Sequence, residues 1–390
     1  MNRLVLGVAV GATALVATAT ATATATPGAS AATHRSARVC APAAAGYAAC
    51  AARVVVDASG KPAVTATPSG YGPADIQAAY GLPPAGTATP SGPTVAIVDA
   101  YNDPTAESDL AVYRSHYGLP ACTTGNGCFK KVSQTGSTTS LPKTDAGWAT
   151  EISLDLDMVS AACPNCKILL VEANSASFAN LGTAVSYAAS VTGVAAISNS
   201  YGGSDTAQIA AYNQPRIAIT ASTGDAGYGV ESPASVPTVI AVGGTSLTKS
   251  GGTYAEKAWS GAGSGCSTLN TKPAWQSGTS CTGKANADVS AVADPNTGVA
   301  VYDSTRYQGR SGWQVYGGTS ASSPIVGSVY ALGGNHGYDY PGQYTWSTTG
   351  GLHDVTSGSN GSCTPAVWCT AGTGWDGPTG LGTPNGTSRF

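Results

Sequence analysis

The segment around Ser320 has the residue types and spacing that suit a nucleophilic hydroxyl group. It reads Tyr316-Gly-Gly-Thr-Ser-Ala-Ser-Ser-Pro324, with two glycines before the serine and apolar, helix-forming residues after the proline. The pattern predicts that Ser320 lies at a helix N-terminus, where its own amide and the helix dipole can stabilise an oxyanion. An ordinary N-cap serine would have the same surroundings, so the segment alone leaves both interpretations open.

Two carboxyl groups, Glu151 and Asp155, lie four residues apart in the run from Thr150 to Asp157. The apolar spacing predicts a helix over Ala146–Ala162, so the pair shares one helix face and can share a proton. Like charges this close raise one pKa, which suits a base that must later act as an acid. A solvated acidic face would have the same spacing, but the surrounding residues indicate partial burial: Ile152, Leu154, Leu156, Met158 and Val159. Asp157 lies off the face of the pair and is interpreted as structural.

Two further aspartates lie at or after the ends of predicted strands. Asp225 lies in Ser222-Thr-Gly-Asp-Ala-Gly227, after a predicted strand, and Asp99 ends another. Gly-Asp sequences are common in turns, so Asp225 is also consistent with a turn residue. Asp99 is interpreted as a cap of the turn that follows it.

The elements that must position these residues alternate along the chain. Predicted strands are Thr94–Asp99, Lys167–Val171, Val194–Ser198, Ile217–Ala221 and Thr238–Val242. Predicted helices are Thr105–His116, Ala146–Ala162, Asn180–Ser190, Asp205–Tyr212 and Ser320–Leu332. Apolar strands alternating with helices predict an α/β fold with a parallel sheet covered by helices on both faces. Active sites in such sheets lie at the carboxyl ends of the strands. Residues 245–318 are predicted to form irregular loops and short strands.

The N-terminal region predicts export from the cell. Residues 1–32 combine Arg3, an apolar run and a small-residue cleavage site, which is typical of a signal peptide. The apolar run is too short for a membrane anchor, and no later run of the sequence is long enough. Residues 33–70 are interpreted as a short N-terminal pro-segment and linker, and residues 71–390 as a single catalytic domain. The net charge of −3 and the scattered basic residues give nucleic-acid binding no electrostatic support.

Ten cysteines in an exported chain predict disulfide bonds. Pairing of sequence neighbours predicts five bridges: Cys40–Cys50, Cys122–Cys128, Cys163–Cys166, Cys266–Cys281 and Cys363–Cys369. The Cys163-Pro-Asn-Cys166 element could also be a redox pair or half of a zinc site. It follows a helix instead of opening one, and no second pair of suitable spacing accompanies it, so a structural bridge is favoured.

Taken together, these segments resemble the sedolisins, a family of serine-carboxyl peptidases with a subtilisin-like fold. The Gly-Thr-Ser-Ala-Ser-Ser-Pro segment is similar to the nucleophile segment of subtilisins and sedolisins, and the Glu-x-x-x-Asp pair is similar to that of sedolisins. The resemblance implies that Ser320 is the nucleophile, that Glu151 is the general base and acid, and that Asp155 orients it. It also implies that Asp225 donates to the oxyanion, which a carboxyl group can do only when it is protonated.

The resemblance further implies one structural calcium ion near the C-terminus. The matching segments are His353-Asp-Val355 and Ala371-Gly-Thr-Gly-Trp-Asp376. The implied ligands are the carboxylates of Asp354 and Asp376 and the carbonyls of Val355, Gly372 and Gly374. Oxygen ligands on glycine-rich turns suit calcium, although two turn aspartates without an ion would look the same.

The function implied by the resemblance is a secreted, monomeric, acid-active peptidase that acts on proteins and peptides. Endopeptidase and tripeptidyl-peptidase activity both remain open. One alternative is a catalytically silent binding protein on the same scaffold. Another is a subtilisin-like peptidase that uses Asp99, but none of the four histidines lies in the His-Gly-Thr context of that family. The chain also departs from sedolisins in lacking their long pro-domain.

Overall fold

The computed structural model describes residues 1–4, 7, 35–207, 209–334 and 336–390. The chain divides into two units, Met1–Thr33 and His34–Phe390, and the elements given below belong to the second. The predicted signal peptide, residues 1–32, lies outside the described residues except for residues 1–4 and 7. Within the described ranges, no helix has the length and apolar character needed to cross a membrane.

The secondary structure of the second unit is numbered here in chain order. The strands are β1 (Arg35–Arg38), β2 (Ala49–Cys50), β3 (Arg53–Val56), β4 (Thr94–Ala100), β5 (Phe129–Ser133), β6 (Lys167–Ala173), β7 (Val194–Asn199), β8 (Tyr201–Ser204), β9 (Ala218–Ser222), β10 (Glu231–Ser232), β11 (Ile240–Ser250), β12 (Thr253–Ala258), β13 (Gly265–Thr271), β14 (Gly283–Asn286), β15 (Val289–Val292), β16 (Val299–Tyr307), β17 (Arg310–Gly317), β18 (Leu352–His353) and β19 (Thr383–Pro384). The α-helices are α1 (Pro73–Tyr80), α2 (Ala106–His116), α3 (Ala146–Ala162), α4 (Phe178–Ser190), α5 (Thr319–Gly333) and α6 (Pro341–Ser347).

The central element is an eight-stranded sheet in the order β12-β11-β9-β7-β4-β6-β5, with β15 also paired to β11. Its neighbouring strands run parallel, except that β12 is antiparallel to β11. Every residue of β4 after Thr94 is buried. Successive side chains of a strand point to opposite faces, so both faces of the sheet are covered. The predicted α/β fold with a parallel sheet is confirmed.

Three helices pack closely on this sheet. Helix α5 contacts β7, β9 and β15, and it also packs against α3. Helix α4 contacts β4, β6 and β7. Helix α3 is buried from Trp148 to Ala162, which explains why apolar residues occur all round it. Asp145 caps its N-terminus by accepting hydrogen bonds from the amides of Gly147 and Trp148, at 3.0 and 3.1 Å.

Most predicted elements are found within about two residues of their expected ends, but one helix is wrong. Among the described residues of the range 205–212, the only helical element is a short 3₁₀ turn at Ala210–Tyr212. Asp205 instead accepts hydrogen bonds from Ser267 and Asn270 of β13, and the amide of Thr206 donates to Ser232. These contacts hold the segment against its neighbours and compete with helix formation. The region predicted to be irregular, residues 245–318, contains the long strands β16 and β17.

The N-terminal residues form strands that join the rest of the second unit. Strands β1 and β3 form a hairpin, and β3 pairs with β17 to give a four-stranded antiparallel sheet in the order β1-β3-β17-β16. Strand β2, between the two arms of the hairpin, pairs with β8. The division between residues 33–70 and 71–390 as separate functional segments stays a prediction.

All five predicted disulfides are confirmed: Cys40–Cys50, Cys122–Cys128, Cys163–Cys166, Cys266–Cys281 and Cys363–Cys369. The Cys163–Cys166 bridge is buried at the end of α3, as expected of a structural bridge. Each bridge closes a short loop and restricts the unfolded chain.

Candidate active site

Ser320 lies in the first turn of α5, directly after β17. Gly318 precedes the helix with a φ of 95°, a conformation that favours glycine. A Cβ atom at this position would lie 2.0 Å from the Ala51 carbonyl oxygen and 2.6 Å from Asp225 Oδ2, so no side chain fits there. Ser320 is fully buried, and its hydroxyl donates to the Ser200 carbonyl at 3.1 Å.

Glu151 and Asp155 lie on α3 and are both fully buried. Burial first, and then the charge of Asp99, raise the pKa of each carboxyl well above its usual value. The hydroxyl of Ser320 lies beside Glu151 and lowers its pKa, and the hydroxyl of Ser200 does the same for Asp155. Among the described residues, no group makes a hydrogen bond of good geometry to either carboxyl. Two adjacent carboxyls without other partners can form a hydrogen bond to each other when one of them carries a proton.

Asp99 is a third member of this carboxyl cluster. It ends β4, is fully buried, and both of its carboxyl oxygens lack a hydrogen-bond partner among the residues described. The interpretation of Asp99 as a turn cap is therefore wrong, because a cap would accept a backbone N–H. Burial, with a further contribution from Glu172, raises the pKa of Asp99 to about 8. At acidic pH, Asp99 is therefore a neutral group beside the pair on α3.

Asp225 lies after β9 and faces the N-terminus of α5. Its Oδ1 atom accepts hydrogen bonds from the amide and the hydroxyl of Thr319, at 2.8 and 3.0 Å. Its Oδ2 atom is buried without a partner in the described part of the chain. Burial raises the pKa of Asp225 to about 6, although Thr319 and two more distant arginines oppose the shift. Below that pH, one carboxyl oxygen is fixed by Thr319 and the other is free to donate a proton.

The described histidines lie away from this cluster. His116 packs against Tyr117 and Trp313, His336 stacks on Tyr344, and His353 belongs to β18. The geometry thus gives no support to a subtilisin-like arrangement in which a histidine links Asp99 to Ser320. Carboxyl groups occupy the surroundings of the serine instead.

Strand β8 forms one wall of the site. Its Tyr201 is fully buried and its hydroxyl donates to Asn199, so this side chain is a packed aromatic. The same strand pairs with β10 on one edge and with β2 on the other. The second edge, nearest Ser320, is thus occupied by residues of this chain, Ala49 and Cys50.

Two of the predicted calcium ligands, Asp354 and Asp376, lie close to each other near the C-terminus. Burial mainly, with the charge of Asp354 adding to it, raises the pKa of Asp376 to about 7. The amides of Gly372 and Gly374 donate to Asp376 and Asp354, at 3.1 and 2.9 Å. Two mutually repelling carboxyls on glycine-rich turns are oxygen donors of the kind that calcium binds, because a cation would relieve the repulsion.

Comparison with known proteins identifies the protein family to which this chain belongs. Residues 142–361 match the model of the subtilase family, and these residues include Glu151, Asp155, Asp225 and Ser320. The chain belongs to the subtilase family. Within it, the chain groups with the sedolisins, because named relatives and a solved structure from that group match it.

The relatives differ in how much of their length is matched. Kumamolisin from Bacillus sp. (strain MN-32) is 31% identical over 369 residues, which cover 83% of this chain and 63% of kumamolisin. Sedolisin from Pseudomonas sp. (strain 101) is 38% identical over 176 residues, which cover 40% of this chain and 29% of that protein. The chain therefore spans less than two thirds of the length of these curated relatives.

Solved structures agree with the fold. Pseudomonas sedolisin, a serine-carboxyl proteinase in complex with two molecules of pseudo-iodotyrostatin, superposes with a TM-score of 0.66 and 28% identity. The superposition covers 82% of this chain and 96% of that structure. Sphericase, at 17% identity and a TM-score of 0.52, shows the shared fold alone.

The sequence analysis singled out Ser320, Glu151, Asp155 and Asp225, but it did not assign roles to the groups that surround these four side chains. Thr319, which orients Asp225, is part of the Gly-Thr-Ser motif, so its place beside the serine is a signal that was available. Ser200 and Glu172 lie at strand ends with ordinary neighbours in sequence. Only the pairing of the strands brings them to the carboxyl cluster.

Proposed function

We propose that this protein is a secreted serine-carboxyl peptidase that hydrolyses peptide bonds at acidic pH. Ser320 is the nucleophile, Glu151 is its base, Asp155 positions that base, and Asp225 donates to the oxyanion. The observation that carries the proposal is the placement of a buried serine hydroxyl between the Glu151–Asp155 pair and Asp225. No feature of an ordinary helix cap requires three carboxyl groups around one serine.

The proton moves between Ser320 and Glu151. Glu151 takes the proton as the hydroxyl oxygen attacks the peptide carbonyl, and it returns the proton to the leaving nitrogen. Its raised pKa suits both steps, since the group must bind a proton tightly enough to accept it and release it again. Asp155 shares a hydrogen-bonded proton with Glu151 and so fixes its orientation.

The developing oxyanion is stabilised by two groups at the start of α5. The amide of Ser320 lies in the first turn, where helix N–H groups have no partner within the helix. The Oδ2 atom of Asp225 supplies the second donor when it is protonated. Donors that are held in place before the reaction stabilise the transition state without reorganisation.

The pH dependence follows from the pKa of Asp225. A carboxyl with a pKa of about 6 is neutral, and able to donate, below that pH. Activity should therefore be present in acid and be lost as the pH rises through about 6. We expect about one tenth of the acid activity at pH 7, because about one tenth of such carboxyls stay protonated there.

The experiment is a digest of an acid-denatured protein at pH values from 3 to 8, with peptides read by mass spectrometry. Cleavage at acidic pH that falls through pH 6 would agree with the proposal. Equal activity at pH 4 and pH 8 would contradict it, and complete inactivity of every form of the protein would favour a silent binding protein. The sizes of the peptides would separate endopeptidase from tripeptidyl-peptidase activity.

We also propose that one calcium ion stabilises the C-terminal region. Asp354 and Asp376 would hold it, with carbonyl oxygens of Val355, Gly372 and Gly374. The like charges of the two aspartates and the glycine-rich turns support this assignment. The ion would supply structural cross-linking of these turns and would take no part in the chemistry at Ser320.

Removal of calcium should lower thermal stability. We expect EGTA at pH 6 to lower Tm by several degrees, because loss of a bound ion removes a mass-action contribution of about 2–4 kcal/mol. Excess calcium should restore Tm, whereas magnesium should not. The matched variant Asp376→Asn should have a low Tm that no longer responds to calcium. An unchanged Tm in EGTA would contradict the calcium site.

The disulfides and the N-terminal sequence bear on where the protein works. Five disulfides are expected of a protein that folds in an oxidising compartment. The signal-like residues 1–32 agree with export. We propose that the protein works outside the cell as a monomer on protein and peptide substrates, without nucleic-acid partners.

A further inference from the structure

A further carboxyl group, Glu172, adjoins the buried cluster beside Ser320. Glu172 lies near the end of β6, directly opposite Asp99 in the parallel register of β4 and β6, and both side chains are fully buried. Residues opposite each other on parallel strands point to the same face of a sheet, so the two carboxyls lie side by side. After burial, the charge of Glu172 is accordingly the main cause of the raised pKa of Asp99.

One oxygen of Glu172 is surrounded by hydrogen-bond donors. Its Oε1 atom accepts from the amide of Asp103 at 2.9 Å, and the ammonium group of Lys131 lies 3.8 Å from the same atom. Lys131, on the neighbouring strand β5, is itself held in place by donating to Asn102 Oδ1 at 3.0 Å and to the Asp103 carbonyl at 2.6 Å. An amide and an ammonium group donate and do not accept. Oε1 of Glu172 is therefore an acceptor.

The other oxygen of Glu172, Oε2, is buried and has no hydrogen-bond partner among the residues described. Both oxygens of Asp99, of Glu151 and of Asp155 are in the same condition within the described part of the chain. Buried polar atoms without partners are costly, so adjacent carboxyls of this kind are expected to share protons with one another. Asp99 is the member of this group that lies opposite Glu172, and it is therefore the partner for Oε2.

In acid, Glu172 carries a proton, and its surroundings fix which oxygen holds it. Burial raises the pKa of Glu172 to about 8, although Lys131 and the Asp103 amide oppose the shift, and the charge of Asp103 adds to it. The groups that face Glu172 are thus Asp99 on β4, Asp103 in the loop after it and Lys131 on β5. Helix α4, which also packs on β6, has no acidic or basic residue in its sequence. Because Oε1 is an acceptor, the proton lies on Oε2 and is donated to Asp99.

This donation fixes the direction in which Asp99 itself donates. A neutral carboxyl accepts mainly at its carbonyl oxygen, so the Asp99 oxygen that accepts from Glu172 is the carbonyl, and the Asp99 proton lies on the other oxygen. Asp99 lies beside the Glu151–Asp155 pair on α3, since its charge is, after burial, the main cause of the raised pKa of both groups. Asp99 therefore donates towards the pair. A hydrogen bond donated to a carboxylate favours its ionised form.

Other titratable groups near the pair have their protons or oxygens engaged elsewhere. Tyr201 and Tyr316 lie close to the pair, but their hydroxyl groups donate to other side chains, at 2.7 and 3.0 Å. Asp225, whose charge also acts on Glu151, is held by hydrogen bonds from Thr319. Asp99 is thus the group best placed to donate to the pair.

We propose that Glu172 is a positioning residue of the peptidase reaction, which orients the Asp99 proton towards the Glu151–Asp155 pair and so keeps the pair able to take the proton of Ser320. The inference rests on the proposed function, because it gives Glu172 a part in that proton transfer. Glu172 acts through Asp99 and stays one carboxyl group removed from the pair. Without such a part, a buried acid at this strand end is a cost to folding, since an apolar residue would need no partners.

Two substitutions at residue 172 separate a donated proton from packing. In Glu172→Gln, the side-chain carbonyl accepts from the Asp103 amide while the NH₂ group donates to Asp99, so the orientation of Asp99 is kept. In Glu172→Met, a side chain of similar size has no group that donates. We expect Glu172→Gln to keep kcat at pH 4 within about threefold of the wild type, and Glu172→Met to lower kcat by about 10- to 100-fold with KM unchanged.

The acid side of the pH profile gives a second readout. Without a hydrogen bond from Asp99, the ionised form of the pair is less stable, so the pKa of the pair rises. Turnover that needs the ionised pair is then lost at a higher pH as the pH falls. We expect the acid limb of kcat in Glu172→Met to lie about one pH unit above that of the wild type and of Glu172→Gln.

The variant Asp157→Leu is the matched control. Asp157 is also a buried carboxyl, it lies on α3 itself, and its Oδ2 atom accepts from the amide of Tyr302 at 3.0 Å. Asp157→Leu and Glu172→Met each leave one amide without its acceptor, so both should lower Tm to a similar extent. Asp157→Leu should nevertheless keep the kcat, the KM and the acid limb of the wild type, since Asp157 lies off the face of the pair.

The outcomes distinguish this inference from the proposed function. Wild-type kcat with an unshifted acid limb in Glu172→Met would overturn the inference and leave the proposed function standing, as would an equal loss of kcat in Asp157→Leu. Glu172→Gln tests the inference even where Glu172→Met does not fold, because a tenfold or greater loss of kcat in the folded Glu172→Gln variant also overturns it. Inactivity of the wild type at every pH would overturn the proposed function and the inference with it.

Discussion

Replacement of Ser320 by alanine should lower the turnover of a denatured protein substrate by about five orders of magnitude. The hydroxyl is the only part of the side chain that is removed, and it forms the covalent bond to the substrate. The fold should be unchanged, since the loss is one hydrogen bond to the Ser200 carbonyl. Turnover at pH 4 is measured beside thermal unfolding of the two proteins.

Glu151→Gln is the companion variant for the base. It keeps the shape of the side chain but cannot accept the proton, so turnover should fall by about a thousandfold or more. A double variant with Ser320→Ala should be no worse than Ser320→Ala alone, because the two residues act as one unit. Near-normal turnover in either single variant would refute the assigned mechanism.

Replacement of Asp225 by alanine should lower turnover by about 100- to 1000-fold at pH 4, because one oxyanion donor is lost. The Thr319 amide and hydroxyl would also lose their acceptor. Thermal unfolding of the variant shows how far that loss changes stability, separately from turnover. Wild-type turnover in Asp225→Ala would show that the oxyanion is stabilised elsewhere.

The variant Asp225→Asn distinguishes hydrogen-bond donation to the oxyanion from an effect of the charge on the Asp225 carboxylate. The amide donates at every pH, so this variant should keep turnover within about tenfold of the wild type at pH 4. It should also lose the fall in activity through pH 6, because that fall reflects deprotonation of a carboxyl whose pKa is about 6. Persistence of the wild-type pH profile in Asp225→Asn would assign the pH dependence to another group, such as Glu151.

The parts of the structure that were predicted correctly depend on local pattern. Helix α3 is found over the predicted residues because its apolar spacing and the Asp145 cap both lie within the segment. The five disulfides join cysteines that are neighbours in sequence. Glu151 and Asp155 share a helix face for the same reason, since a spacing of four residues fixes their relation without tertiary information.

The parts that were missed depend on contacts between distant segments. Asp99 looked like a turn cap, and its place beside Glu151 appears only when β4 and α3 pack together. The predicted helix over residues 205–212 was wrong because side chains of distant strands hold that segment in another conformation. Local periodicity carries no information on such partners.

The N-terminal loop between β1 and β3, residues 39–52, is the clearest example. Its alanine-rich sequence has little periodicity, and residues 33–70 were interpreted as a short pro-segment and linker. Its conformation is set by pairing with β8 and β17, which are more than 140 residues away. A segment that is held by pairing with distant strands takes its shape from those strands, so its own sequence carries almost no signal of that shape.

Labelling with a peptidyl phosphonate at pH 4, located by mass spectrometry of the digested protein, tests the central claim most directly. The wild type and the Cys40→Ser, Cys50→Ser variant are labelled in parallel, so that the pairing of Ala49 and Cys50 with β8 does not hide the nucleophile from the label. We predict one adduct, on Ser320, in step with loss of peptidase activity, and none when Ser320→Ala is introduced. Loss of activity with the label on another residue, or peptide hydrolysis that persists while Ser320 is fully labelled, would contradict the claim.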